Sequence, residues 1–244
     1  MRMRWLDRVV AAAFNNAAWC DAVCRTHGHP GEFEEALWLN RAEVPRFYPN
    51  VVTLTPRGET QQLDALSALD LPGRWGVKDS FATLDLAPRG FAELFSAQWI
   101  HFSPERPATT SPSGARWVRV RDTAALSAWE AAWSGQPGST GPAPAHAVFR
   151  PGLLDEAGVS FLSAYHEDTL VAGAIAYRAA NVVSLSNTFF TVAESGTLRA
   201  ELLGQVMAAF PGLPVVGYEH GDELAVWCDL GFEPIGPLRV WLKT

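Results

Sequence analysis

Three consecutive strand-like segments in the C-terminal half limit the possible folds of this chain more than any other feature. The stretch "GVSFLSAYHEDTLVAGAIAYRAANVVSLSNTFF", residues 158–190, alternates in side-chain character and is broken only by the polar turns "HEDT" and "RAAN". Alternation with a period of two is typical of strands, and short polar breaks between strands are typical of hairpins. The stretch therefore predicts a meander of three antiparallel strands.

The segments around this meander predict a mixed sheet with helices on both faces, an α/β (α+β) fold. A strand and a helix precede the meander, and Asp122 or Thr123 is suited to cap that helix. A helix, a short apolar strand, a second helix and a final strand pair or bent strand follow the meander. These last four elements are read from "LRAELLGQVMAAF", "LPVVGYE", "DELAVWCDL" and "FEPIGPLRVWLKT".

The C-terminal sequence "LAVWCDLGFEPIG" places Gly231-Phe232 between the last helix and the last strand. With this tail and the order of elements, residues 115–244 resemble the GCN5-related N-acetyltransferase (GNAT) superfamily. The resemblance implies a GNAT-like acyl-CoA N-acyltransferase fold. It also implies acetyl-CoA or another acyl-CoA as co-substrate and a small-molecule or peptide amine as acceptor.

The resemblance further implies where the acyl-CoA binds. Residues 182–190 would be the fourth strand of the family, in which a bulge frees backbone groups for the pantetheine arm. The next helix would direct its N-terminal amides at the pyrophosphate. The implied cofactor-binding residues are Phe190, Thr191, Ser195, Gly196, Thr197, Leu198 and Arg199.

The loop before that helix, "TVAESGTLR", departs from the family pattern of Gln or Arg, two residues, Gly, one residue, and Gly or Ala. Glu194 would repel a pyrophosphate if it pointed inward, whereas Arg199 could offset that charge. Small residues still allow a phosphate to approach the backbone around Gly196. The alternative is an ordinary helix cap at Ser195 or Thr197.

A second departure is Trp227, which stands where many family members carry a Tyr that protonates the leaving thiolate. Indole has no proton that ionises in a useful range, so Trp227 cannot act as a general acid. The catalytic candidates are Glu219 and His220, because open α/β sheets bind ligands at the carboxyl ends of strands. The alternative is that both residues only lie at the solvent-exposed N-terminus of a helix, where the helix dipole stabilises acidic side chains.

Three further residues are candidates for substrate binding. Asn187 lies on the implied fourth strand and could contact the acyl group or the acceptor, and Trp38 and Tyr48 could form an apolar wall for the acceptor. Ordinary edge-strand polarity and core packing are the alternatives for these residues.

The first 114 residues show none of these motifs, although their mixed helices and strands are compatible with a degenerate first GNAT-like half. A Ser/Thr/Pro-rich connector over residues 103–115 predicts domains at 1–108 and 109–244. Within the first domain, "APRGFAELFSAQWIHF", residues 87–102, predicts a helix, with an extended conformation as the alternative for its last few residues.

Bulk properties exclude several function classes. A net charge of −7 argues against nucleic acid as a partner, since phosphate binding depends on clustered Lys and Arg. No segment has the apolar length of a membrane span, which predicts a cytoplasmic protein without a membrane partner. Cys20, Cys24, His27 and His29 are closely spaced, and the first three would lie on one face of a helix. Buried thiols explain that spacing better than a metal site.

The sequence thus predicts an N-acyltransferase that transfers an acyl group, by family default acetyl, from acyl-CoA to an amine. The degenerate loop and Trp227 leave open the alternative of a binding module that keeps the fold without acyl-CoA chemistry.

Overall fold

The computed structural model describes residues 5–105, 112–135, 147–192 and 196–244. Five α-helices and eleven strands lie within these ranges. The helices are α1 Trp5–Thr26, α2 Glu59–Ser67, α3 Thr123–Trp133, α4 Gly196–Ala209 and α5 Gly221–Asp229. The strands are β1 Glu32–Phe33, β2 Leu37–Leu39, β3 Val51–Thr53, β4 Gly76–Asp79, β5 Phe91–Phe102, β6 Arg116–Arg119, β7 Val159–His166, β8 Thr169–Ala179, β9 Val182–Phe190, β10 Val215–Glu219 and β11 Glu233–Lys243.

The chain forms two compact units. The first unit contains the residues up to His101 together with Tyr218–Thr244, and the second contains Phe102–Gly217. The division between them falls inside β10, so the C-terminal helix and strand are counted with the N-terminal residues. The domain boundary at 108/109 stays a prediction.

In the first unit the strands follow the order β1-β2-β3-β4-β11-β5. Strands β3 and β4 run parallel, and the other neighbours are antiparallel. One face of this sheet packs around Trp75 and Trp241, together with Leu66 of α2. The other face places Trp38 and Val52 against Cys20 of α1. Both faces of these short strands are buried, which explains why β2 and β3 are apolar throughout.

The helix predicted over residues 87–102 is wrong. A single 3₁₀ turn, Ala87–Arg89, is followed by the twelve-residue strand β5. Gly90, with a φ of 76°, ends that turn in the left-handed region. Strand β5 then pairs with β11 from Phe91 to His101. Long-range pairing and burial thus outweigh the helical propensity of the Ala, Glu and Leu residues in this stretch.

The second unit confirms the predicted meander. Its strands follow the order β10-β9-β8-β7-β6, and β7, β8 and β9 are successive antiparallel neighbours. Ala180 and Asn181 have φ values of 51° and 58°, as a tight two-residue hairpin turn between β8 and β9 requires. Asp122 caps α3 by accepting a hydrogen bond from the Ala125 amide, which confirms the predicted cap.

The core of the second unit is built around Trp129 of α3. Its indole is completely buried and donates a hydrogen bond to the Leu162 carbonyl over 2.9 Å. Three phenylalanine rings meet it edge-on at centroid distances of 5.2 to 5.5 Å, a favourable geometry for aromatic pairs. One of these rings is Phe189 of β9, so the core fixes the C-terminal part of that strand.

The final strand β11 is one bent strand rather than a strand pair. Its pairing with β5 shifts between Pro234 and Gly236, and Gly236 has a φ of 155°. In the described ranges, no helix has both the length and the apolar character needed to cross a membrane.

Candidate functional site

A bulge interrupts β9 in the middle of the second unit. Ile175 of β8 lies opposite Ser186, and Gly173 lies opposite Phe189. One residue of β8 therefore faces two residues of β9, Asn187 and Thr188. Asn187 has a φ of 52°, a left-handed conformation that Asn tolerates better than most residues. A bulge of this kind removes backbone groups of β9 from the regular ladder.

The pairing of β9 with β10 is short. The two strands run parallel, and Val183 pairs with Val215 and Ser184 with Val216. Strand β9 has nine residues, yet within the described ranges its ladder with β10 contains only these two pairs. The part of β9 that carries the bulge lies beyond the last pair, so β10 does not take up its backbone groups.

Helix α4 begins shortly after β9, at Gly196. The first four amides of a helix have no intrahelical acceptor and attract anions. At Gly196, a Cβ would meet no atom within 4 Å, so the start of α4 is open on that side. The predicted residues Gly196, Thr197, Leu198 and Arg199 form the first turn, whereas Ser195 and Glu194 lie outside the described residues.

The structure brings Phe190 and Arg199 together. The Arg199 guanidinium lies 4.4 Å from the centroid of the Phe190 ring, so the positive charge is held beside the end of β9. Leu198 has a different position, because it is buried with Ala164, Val171 and Ala172. The hydroxyl of Thr191 donates to backbone carbonyls of β8. Thr191 thus also anchors the segment that leads into α4.

Glu201 holds α4 to the segment before β6. Its carboxylate accepts hydrogen bonds from the Ser113 amide over 2.6 Å, the Ser113 hydroxyl over 2.5 Å and the Trp117 indole over 2.9 Å. Burial alone would raise the pKa of Glu201, but these hydrogen bonds outweigh it and lower the pKa below its ordinary value. This contact fixes α4 in the second unit.

In the first unit, Glu219 and His220 stand where β10 ends and α5 begins. Glu219 is the last residue of β10 and is half-buried. His220 is exposed and occupies the N-cap position of α5, where its side chain makes no capping hydrogen bond. Its ring lies 5.5 Å from the Phe95 ring. Both candidate bases thus lie at the C-terminal end of a strand, and their catalytic role stays a prediction.

Sequence analysis did not find two residues next to these bases, Lys78 and Tyr218. Lys78 of β4 is only 5% exposed, and its ammonium lies 4.1 Å from the centroid of the Tyr218 ring. Tyr218 also meets Trp99 edge-on at 5.5 Å and stacks with Phe95 at 6.5 Å. The one available signal was that Lys78 is one of only two lysines in the chain and lies in a short strand, β4.

Trp38 and Tyr48, two of the residues predicted to bind the acceptor, differ in burial. Trp38 is completely buried, and its indole donates to the Asp21 carboxylate over 3.2 Å. A Cβ on Gly31 would lie 2.4 Å from that indole, so the site is tightly packed. Tyr48 packs against the same cluster but is only half-buried. Tyr48 therefore has surface to offer a ligand, whereas Trp38 supports it from the core.

Trp227 lies on α5 and is 2% exposed, with its ring edge-on to Phe232 at 5.4 Å. It packs into the first unit.

Cys20 and Cys24 lie within α1 as buried thiols. Burial raises the pKa of Cys20 to about 11 and that of Cys24 to about 12, so both stay protonated at neutral pH. Within the ranges that the structure describes, no group of three or more His, Cys, Asp or Glu side chains could hold a metal ion.

Comparison with solved structures identifies the fold. A GCN5-related N-acetyltransferase from Kribbella flavida matches with a TM-score of 0.65 and 14% identity, covering 99% of this chain and 96% of that protein. A GNAT-family protein from Novosphingobium aromaticivorans matches with a TM-score of 0.56 and 13% identity, covering 94% and 97%. A tandem GNAT protein of the clavulanic acid biosynthesis pathway matches with a TM-score of 0.52 and 14% identity, covering 84% and 77%.

The chain has the GNAT fold. The resemblance inferred from the Gly231-Phe232 tail is therefore confirmed for the fold, and it extends beyond residues 115–244 to nearly the whole chain. No protein-family model and no curated protein matches the sequence.

Proposed function

We propose that this GNAT-fold protein is an acyl-CoA-dependent N-acyltransferase that transfers an acyl group, by default acetyl, to an amine. The bulge at Asn187 carries the proposal. It lies on the strand whose backbone would bind the pantetheine arm, beyond the last pair with β10. Backbone groups of residues 187–190 would hydrogen-bond the amides of the arm, and the side chain of Asn187 would lie beside the acyl group.

The phosphates would bind at the start of α4. The amides of Gly196, Thr197 and Leu198 would donate to the pyrophosphate, and the helix dipole would favour its negative charge. Arg199, held over Phe190, would add a positive charge at the same end of the helix. In the proposal Phe190, Thr191 and Ser195 complete the cofactor-binding segment.

The acceptor amine would be deprotonated by Glu219 or His220. The imidazole of His220 is exposed and the carboxylate of Glu219 is half-buried, so either group could take the proton directly or through water. The amine would then attack the thioester carbon, the C–S bond would break, and CoA would leave as the thiolate. The proton lost by the new amide nitrogen would pass to that thiolate or to water. Proximity and polarisation of the carbonyl by backbone amides would supply most of the rate enhancement.

A second candidate function is a binding module without catalysis. Trp227 favours it, because a buried indole cannot protonate the departing thiolate. A thiolate is nevertheless a fair leaving group, so a positioned amine can react without a dedicated acid.

Calorimetric titration with acetyl-CoA and with CoA tests the cofactor site. We expect micromolar dissociation constants for both ligands, about −8 kcal/mol. Gly196→Glu places a negative charge at the start of α4 without a steric clash, and Gly196→Gln is the matched neutral control. A negative charge at the N-terminus of α4 stabilises the helix. If only Gly196→Glu weakens acetyl-CoA binding, the loss therefore reports phosphate repulsion and not unfolding.

Release of the CoA thiol in the presence of amines separates the two candidate functions. Binding of acetyl-CoA with amine-dependent thiol release supports the transferase. Binding without release for any amine supports a retained cofactor site without catalysis. Absence of binding at millimolar acetyl-CoA contradicts the transferase and favours the binding module.

A further inference from the structure

The first unit contains a buried cation without an anionic partner. Lys78 is 5% exposed, and its ammonium lies over the face of the Tyr218 ring. Among the described residues, Lys78 forms no ion pair with an Asp or Glu side chain. A ring face stabilises a desolvated ammonium by only about 2 kcal/mol, less than the loss of hydration costs. The position is therefore suited to an anion from outside the described part of the chain.

The residues beside Lys78 indicate the shape of the site. Pairing aligns Lys78 with Val52 on one side and with Val240 on the other, and Val240 pairs in turn with Phe95. Residues directly opposite one another share a face of a sheet. Lys78 thus lies on the face covered by α1, between the core under that helix and the rings of Phe95 and Tyr218. An anion held there would have apolar and aromatic walls.

A second polar group in this region lacks an acceptor. The hydroxyl of Tyr48 is buried, and its proton has no acceptor within the described residues. The indole of Trp19 lies beside it but is itself only a donor, so the hydroxyl proton remains available. Burial raises the pKa of Tyr48 well above its ordinary value, which keeps the proton on the oxygen. Tyr48 packs against the cluster that contains Cys20 and Val52, and Lys78 pairs directly with Val52, so both donors lie on the α1 side of the sheet.

We propose that Lys78 and Tyr48 bind the carboxylate of the acceptor, which is a small amine with an aromatic or apolar body, such as an aromatic amino acid. One ammonium balances one negative charge, and the Tyr48 hydroxyl supplies a second donor to the same group. The rings of His220 and Tyr218 both lie against Phe95, so the amine of such a molecule would lie on the side of the candidate base His220. This identification of the acceptor rests on the proposed function, whereas carboxylate binding at Lys78 does not.

The two lysines permit a direct test on the full chain. With ¹⁵N label in the lysine side chains, Lys78 and Lys243 give the two ammonium signals of the protein. Lys243 donates to the Arg89 carbonyl and serves as the internal control. The probes are matched pairs that differ only in the negative charge: L-phenylalanine against L-phenylalaninamide, and benzoate against benzamide. We expect both carboxylates to shift the Lys78 signal at about 10 mM or below, while both amides leave it unchanged.

Variants then assign the effect to the two donors. Tyr48→Phe removes only the hydroxyl and should weaken carboxylate binding about tenfold, the effect of losing a hydrogen bond to a charged group. Lys78→Met also removes the reporting signal, so benzoate binding to this variant is measured by calorimetry, where it should be lost. Lys243→Met should leave benzoate binding unchanged in both measurements. If neither carboxylate shifts the Lys78 signal, or if the amides shift it equally, the inference is overturned. An unchanged affinity in Tyr48→Phe removes Tyr48 from the site.

The inference and the proposed function fail in different ways. Binding of the carboxylates at Lys78 without any binding of acetyl-CoA would overturn the transferase and leave the anion site. Acetyl-CoA-dependent thiol release with amines that lack a carboxylate, without a shift at Lys78, would leave the transferase and overturn the inference.

Discussion

Lys78 in the first unit and Glu201 in the second are both charged side chains removed in part from water, but their surroundings differ. Glu201 accepts three hydrogen bonds from Ser113 and Trp117, so its charge is satisfied within the unit. Lys78 meets only the face of Tyr218 and has no carboxylate partner in the described ranges. A charge satisfied by its own chain stabilises the fold, whereas one left without an opposite charge lowers stability and favours a ligand.

The buried histidine of the first unit gives the largest expected effect. Burial lowers the pKa of His101 to about 4, whereas the unfolded chain has an ordinary value of 6.5. Between pH 6.5 and pH 4 the unfolded state therefore binds the extra proton, and stability falls as the pH falls. We expect a loss of about 3 kcal/mol in the free energy of unfolding from pH 7 to pH 4, measured by urea titration.

His101→Phe is the control for this pH dependence. It removes the titrating group from β5, so the difference between pH 7 and pH 4 should shrink by the same amount. An equally steep loss in the variant would show that His101 is not the neutral buried group described here. His101 would then not be a titratable group that the first unit keeps uncharged.

The second effect concerns the satisfied charge. Glu201→Ala leaves the Ser113 and Trp117 donors without their acceptor and should lower the free energy of unfolding by about 2 kcal/mol. Because Glu201 fixes α4, acetyl-CoA affinity should fall as well. Chemical denaturation and calorimetry measure the two consequences. A variant as stable as the wild type would mean that water replaces the carboxylate at no cost.

The third effect has the opposite sign. Lys78→Met keeps the length of the side chain and removes a buried charge, so the free energy of unfolding should rise by about 1.5 kcal/mol. Lys243→Met, at a position where the ammonium is accessible, should change it by less than about 0.5 kcal/mol. Destabilisation by Lys78→Met in urea titrations would show that the ammonium is paired within the protein, and the contrast with Glu201 would disappear.

The smallest expected effect comes from removing one of the donors to Glu201. Trp117→Phe removes one indole N–H but keeps an aromatic ring, and it should cost about 1 kcal/mol, less than Glu201→Ala. Combining Trp117→Phe with Glu201→Ala should add little to the single Glu201→Ala change, because the interaction is already absent. Additive losses in this double-mutant cycle would contradict the hydrogen bond between the two side chains.

Local sequence pattern predicted the second unit better than the first. The polar turns "HEDT" and "RAAN" interrupt a period-two pattern, so the three strands of the meander could be located from the residues alone. Strand β5 could not, because its Ala, Glu and Leu residues favour a helix and its conformation depends on pairing with β11, more than 130 residues away.

The candidate site also has one part that the sequence predicted and one part that it did not. Asn187 could be named because the order of strands resembles a known family in which the fourth strand is bulged, and its φ of 52° places it at the bulge. The contact between Lys78 and Tyr218 could not be predicted, since strands β4 and β10 are far apart in sequence and no local pattern relates them. Such contacts are a property of the strand order and not of either segment.

Amide hydrogen exchange of residues 187–190, with and without acetyl-CoA, tests the central claim most directly. The bulge and the short ladder with β10 leave this segment without a partner strand on the β10 side, where the proposed pantetheine arm would bind. Saturating acetyl-CoA should therefore slow exchange in residues 187–190 and in the first turn of α4 at least about tenfold, with no change in β7. Unchanged exchange in residues 187–190 at an acetyl-CoA concentration that calorimetry shows to be saturating would contradict the account.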